Sequence, residues 1–127
     1  MRKEALNWWE QAKADLGAAK KNIGIEEYGV AVFLCQQATE KALKALYIDV
    51  KREEAYTHDL VEIGFALGIP NALLDNLRNL GPEYVVSRYP DASYGAPYKL
   101  YTKPKAEQRH KEAREVIGWV KSRLKIS

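Results

Sequence analysis

The sequence predicts an all-α fold: an up-and-down antiparallel bundle of four to five helices, built as one domain over residues 1–127. Three observations lead there. Apolar residues recur at three-and-four spacing through three long stretches, the period of one helical face. Nowhere does a run alternate apolar and polar as a half-buried strand would. The long stretches are joined by short connections, which set consecutive helices antiparallel. A chain of 127 residues with 46% hydrophobic and 29% charged residues has the size and composition of one ordinary globular domain.

The first helix is marked by Ala5, Trp8, Trp9, Ala12, Leu16, Ala19 and Ile23, and Asn22 to Gly24 stop it. The second begins near Glu26 or Glu27, whose charge suits a helix N-terminus, and runs to about Asp49. Val30, Phe33, Leu34, Ala38, Ala42, Ala45 and Leu46 form its expected core stripe, and small residues at 38, 42 and 45 admit a close neighbour. Gln36, Gln37, Glu40, Lys41 and Lys44 fill the rest, with Glu40 and Lys44 spaced as a helix-surface pair. After a charged loop, Thr57 is the expected N-cap of a third helix from His58 to about Leu67, ended by Gly68. Pro70 opens a fourth helix with Leu73, Leu74, Leu77 and Leu80 inward, interrupted at Gly81-Pro82 and resumed briefly through Val86. Residues 87–103, with two prolines, a glycine and four tyrosines, are expected to form a loop; loops of that length in compact domains are usually functional or mobile. Pro104 opens the last helix, where Ala106, His110, Ala113, Ile117, Val120 and Leu124 repeat on one side.

Composition narrows the function. The single Cys35 lies in an apolar run and has no cysteine to pair with, so a buried thiol in a reducing compartment is expected. No apolar run approaches the roughly 20 residues of a membrane span, and the N-terminus lacks a signal-peptide core; no membrane role is expected, and the location expected is cytoplasmic. The net charge is only +3, but from residue 99 onward nine Lys and Arg face three Glu. That end suits a phosphate-bearing ligand or an acidic partner, with a solvated helix face as the competing reading. A duplex-binding protein would carry a stronger basic excess. Two histidines and one cysteine offer no metal-ligand spacing, and no glycine-rich phosphate loop is present, so neither metal nor cofactor is expected.

The polar candidates are few. Arg88 stands at the mouth of the long loop in Ser87-Arg-Tyr-Pro-Asp91, where Pro90 restricts Tyr89 to extended backbone. A stiff segment presenting a guanidinium and a tyrosine suits a phosphate or a stacked base. An Arg88–Asp91 clasp with Tyr89 as a packing plug is the equal alternative. His58 has either an acid–base or hydrogen-bonding role at a helix start, or simply packs on the neighbouring helix. His110, on the apolar stripe of the last helix, reads as a core or interface residue. Gln37, Lys41 and Lys44 either line a groove between the second and last helices or remain solvated.

In order along the chain, Trp8-Trp9 with Ala12 and Asp15-Leu16, Ala31-Val-Phe-Leu-Cys-Gln-Gln-Ala-Thr-Glu-Lys-Ala-Leu-Lys-Ala-Leu46, His58-Asp-Leu60, Ser87-Arg-Tyr-Pro-Asp91 and the closing Ala113 to Val120 helix resemble the HEPN domain family (higher eukaryotes and prokaryotes nucleotide-binding). The resemblance covers nearly the whole chain. It implies a helical bundle that is usually a homodimer, that often works beside a small nucleotidyltransferase, and that in some pairs forms a toxin–antitoxin system. Catalytic members are ribonucleases with an Arg-x(4–6)-His motif, the histidine moving a proton and the arginine stabilising phosphate charge. This chain departs from that motif, because no histidine follows Arg88 within six residues. The expected function is therefore a non-catalytic module that binds a nucleotide or RNA, or a nucleotidyltransferase partner. Its expected ligand-binding residues are Arg88, Tyr89, Asp91, Gln37, Lys41, Lys44 and His58, with no catalytic residue. A metal-independent, toxin-type ribonuclease with an atypical site is the alternative.

Overall fold

Residues 1–90 and 95–124 are described by the computed structural model. Among them every regular element is a helix: α1 (Lys3–Gly24), α2 (Tyr28–Lys51), α3 (Leu60–Ala66), α4 (Asn71–Leu80), the single turn α5 (Glu83–Val86), the single turn α6 (Pro97–Leu100) and α7 (Lys103–Arg123). The three long helices carry the bundle, α1 packing on α2 and α2 on α7, with α4 closing against α7. None of the described helices is long and apolar enough to cross a membrane.

Alanines explain how closely α1 and α2 pair. Ala5, Ala12 and Ala19 recur every seven residues on α1, and Ala31, Ala38, Ala42 and Ala45 line α2, all without exposed surface. With no side chain beyond Cβ the two backbones approach closely, and Trp9 and Leu43 fill the space between them and the rest of the core. The α1–α2 connection needs only residues 25–27, and Glu26 turns it with a left-handed φ of 65°. On α2 the inward stripe is Ala31, Val32, Cys35, Ala38, Thr39, Ala42, Leu43 and Leu46. Val30, expected in that stripe, is 47% exposed, while its neighbours Ala31 and Val32 are fully buried, so the inward face is turned by one residue at the start of α2. Cys35 has no exposed surface, and burial, then the Glu112 and Glu83 charges, push its thiol up to about 12.

The N-cap of α3 is Asp59, not Thr57. The Asp59 carboxylate accepts from the Val61 and Glu62 backbone N–H groups, while the Thr57 hydroxyl accepts from Asp59 N–H one step earlier. A carboxylate satisfies two orphan donors and meets the helix dipole with a full charge, so it outcompetes the hydroxyl. His58 consequently stands outside the helix, in extended chain before it. Gly68 ends the α3 region at φ 72°, with Ile69 N–H returning to Gly64 C=O. Between α4 and α5, Gly81 and Pro82 keep right-handed helical backbone. The break arises because Pro82 lacks the N–H that would continue the ladder. Within the expected 87–103 loop the chain makes the α6 turn, then buries Tyr101 against Val32 and Ala106.

Candidate ligand-binding groove

One edge of α2 carries Phe33, Gln36, Gln37, Glu40 and Lys44 at helical spacing, so they form a single row. Core formation does not require polar groups there, yet Gln36, Glu40 and Lys44 are all buried. The surface pair expected of Glu40 and Lys44 is thus an interior one, with His58 against Glu40 and the Trp8 ring against Lys44. Glu40 Oε2 lies 2.9 Å from Lys44 Nζ and 2.8 Å from His58 Nδ1, and its Oε1 accepts from Gln36 Nε2 at 3.2 Å. Gln37 Nε2 donates to Gln36 Oε1 at 2.7 Å, extending the chain of bonds by one residue. Burial raises the proton affinity of Glu40, but bonds from His58, Lys44 and Gln36 with the Lys44 charge outweigh it and hold the carboxyl below its ordinary range.

Lys44 Nζ is also 2.9 Å from His58 Nδ1 and 5.4 Å from the centre of the Trp8 ring. One ring nitrogen has one in-plane bonding direction. It donates to Glu40 when it carries a proton and accepts from Lys44 when it does not. Either way Nδ1 is engaged, and the rest of the imidazole, 82% exposed, faces solvent. A cavity of about 320 Å³ opens between His58, Glu40 and Gln36 on one side and Gly81, Tyr84 and Val85 on the other. A second, of about 430 Å³, shares His58 and Gly81 and continues toward Arg78 and Pro82.

Across the first cavity, α5 leads to Arg88. Its guanidinium lies 4.6 Å from the centre of Phe33, 5.8 Å from Tyr84 and 5.4 Å from Tyr89. Phe33 and Tyr84 themselves meet at 6.0 Å with tilted rings. The surrounding ring faces hold the guanidinium without neutralising it, and no ion pair to Arg88 occurs among the described residues. Tyr84 joins the two parts, lining the cavity with His58 and meeting Arg88 and Phe33 on its other side, and the surface from Arg88 over Phe33 and Tyr84 to His58 is the candidate groove.

A buried ionic network holds α5 from behind, and its charged members Glu83, Arg109 and Glu112 were not candidates by sequence. Glu83, 4% exposed, accepts from Tyr101 Oη at 2.6 Å and from Arg109 Nε at 3.0 Å. Arg109 Nη1 reaches Glu112 Oε1 at 2.6 Å, and Asn79 Nδ2 donates to Glu112 Oε2 at 2.6 Å. The Ser87 hydroxyl donates to the Glu83 carbonyl. Burial and the Glu83 partner push the Tyr101 hydroxyl well above its ordinary value, so it stays a donor. The available signal was positional: Glu112 precedes Ala113 by one residue and Val116 by four, so it sits at the edge of the apolar stripe of α7.

Of the residues expected to bind ligand, Arg88, Tyr89 and His58 border the groove, with Lys44 and Gln37 behind it. Lys41 points elsewhere: its ammonium pairs with Asp15 of α1 at 2.5 Å, and Gln11 supports the same carboxylate at 2.8 Å. The row therefore lines no groove between α2 and α7, since α2 meets α7 with its apolar side. Asp91, like Ser93 and Tyr94, lies outside the described residues. His110 is half-buried between α1 and α7 and shares no cavity with Arg88 or His58. No group of three or more potential metal-ligating side chains occurs among the described residues.

The same architecture is found elsewhere. A crystal structure of TT1696 from Thermus thermophilus superposes with a TM-score of 0.89 at 30% identity, covering 97% of this chain and 100% of that one. ST0689, described as an archaeal HEPN homologue, superposes with a TM-score of 0.82 at 34% identity, covering 95% and 98%. A protein of Methanocaldococcus jannaschii named "Putative toxin MJ1304" is 30% identical over 91% of this chain and 85% of its own length. The HEPN domain model matches residues 5–123, from the first core alanine of α1 to the last turn of α7. The chain belongs to the HEPN domain family.

Proposed function

We propose that the groove between α2 and α5 binds a nucleotide-type anion, a nucleotide or a single-stranded RNA segment, in a module that is not itself a nuclease. The observation that carries this reading is the Arg88 guanidinium held over Phe33, Tyr84 and Tyr89. A guanidinium fixed by stacking meets a phosphate with two parallel N–H bonds, and exposed ring faces beside it accept a base. His58 supplies a second polar contact across the cavity. Val30, Tyr84, Val85 and Tyr89 leave apolar surface exposed around this site, which suits association with a second copy of the chain. A nucleotidyltransferase partner rests on the family resemblance alone.

One observation favours the ribonuclease alternative. Glu40 on His58 Nδ1 is an orienting carboxylate on an imidazole, the arrangement that prepares a ring for proton transfer. The name of the M. jannaschii relative points the same way. Against it, Lys44 crowds the same nitrogen, and no histidine follows Arg88 at the family's catalytic spacing.

Fluorescence anisotropy with a labelled single-stranded RNA, followed by a denaturing gel of the same samples, separates the two. The binding reading expects Arg88→Ala to weaken binding by about tenfold or more, with RNA recovered intact. Metal-independent cleavage that disappears in His58→Ala would replace it with the nuclease reading, and equal binding by wild type and Arg88→Ala would remove the groove.

A further inference from the structure

A cavity of about 730 Å³ lies between α1, the α1–α2 connection and α7, and shares no lining residue with the groove. Two glycines lie on its floor. Gly17 and Gly24 stand two helical turns apart on α1, and a Cβ added at either would meet nothing within 4 Å. Leu16 and Ile23 give the floor apolar edges. Lys20 enters from α1, while Lys103, Glu107, His110 and Arg114 line one side of α7 at steps of four, three and four residues. Among the described residues none of Lys20, Lys103 and Arg114 has an ion-pair partner.

His110 is the informative residue. Burial first, then the charges of Arg114 and Lys20, hold it below the ordinary imidazole value, while a hydrogen bond to the Leu16 backbone opposes them. A neutral imidazole is thus set between two cations whose field an anion would cancel. We propose that this cavity binds a small phosphate monoester, with the phosphate between Arg114, Lys20 and His110 and the organic half over Gly17 and Gly24. Glu26 and Glu107 accept hydrogen bonds from hydroxyl or amino groups of that half, and Tyr28 and Lys103 complete the rim. The volume falls within the range of small-molecule sites.

Binding is then linked to protons. The ligand's negative charge raises the proton affinity of His110, so the complex takes up a proton and affinity rises as pH falls through the bound-state value. The titratable and charged groups that line the cavity with His110 are Lys20 from α1, Glu26 from the connection, Tyr28 from α2, and Lys103, Glu107 and Arg114 from its own helix; of these, Arg114 and Lys20 act on its charge.

The test is an NMR titration of both histidines with adenosine 5′-monophosphate and with adenosine. The monophosphate is expected to raise the His110 midpoint, adenosine to leave it unmoved, and Arg114→Gln and Lys20→Gln each to weaken the monophosphate about tenfold. Both variants replace exposed or rim side chains, and circular dichroism verifies that they fold. Arg88→Ala leaves the His110 response unchanged, which separates this site from the groove. A His110 midpoint unmoved by millimolar monophosphate, an equal response to adenosine, or wild-type affinity in Arg114→Gln would overturn the proposal.

Discussion

Glu40 shows how one residue can mislead a sequence and then organise a site. Its four-residue spacing to Lys44 is that of a solvent-facing pair, yet the structure buries both and adds His58 as a third member. The tertiary contact that does this comes from a segment eighteen residues away, and no local spacing encodes it. Because the folded-state pKa of Glu40 is lowered from 4.5, its contribution to stability is present above that value. It is lost as pH falls through the folded value. Glu40→Gln should therefore cost about 1–3 kcal/mol near neutrality, and urea unfolding should show that difference shrinking in acid. A difference independent of pH would contradict this account of the cluster. The sign for His110 is the same in form. Its folded value is depressed, so stability is full above the ordinary imidazole range and falls as the buried ring is forced to charge.

Among elements, α5 is decisive although it is a single turn. Four residues cannot hold a helix by themselves; α5 persists because Glu83 is locked to Tyr101 and Arg109 behind it. Removing Arg109 would leave Glu83 and Glu112 buried without their cation. Arg109→Ala should destabilise the fold by about 3–5 kcal/mol, read as a shift of the urea midpoint, and should also weaken ligand binding by freeing α5. Unchanged stability would mean that the network does not anchor the turn. The α3–α4 corner makes a separate prediction. A Cβ at Gly64 would press on Leu77 Cδ1 and lie 3.2 Å from Ile69 Cγ2, so Gly64→Ala should cost about 1–3 kcal/mol by overpacking. A thermal melt of the variant checks this, and a melt coincident with wild type would contradict it.

On the scale of the whole molecule, the long helices were legible because their apolar period alone determines which faces meet. The stripes of α1 and α7 needed little correction, and the ordered motifs led to the family. Arg88 was legible as a candidate because a stiff Tyr-Pro pair follows it, but its stacking partner Phe33 was not. Phe33 reads as core in the α2 pattern, and only the position of α5 shows that it serves the groove instead. Asp59 displaced Thr57 as a cap for a local reason that the sequence did contain, the stronger acceptor two residues later. The Glu83–Arg109–Glu112 network was illegible because Glu83 lies far from the other two in sequence and none belongs to a recognisable motif. The fold thus follows from periodicity, whereas the site depends on contacts between distant segments.

The central claim is that the α2–α5 groove, centred on Arg88, is where a nucleotide-type ligand binds. Amide chemical-shift mapping with a short single-stranded RNA tests it most directly. The largest shifts should fall on Phe33, His58, Tyr84, Arg88 and Tyr89, and should vanish in Arg88→Ala. Shifts that spare these residues, or that persist undiminished in the variant, would contradict it.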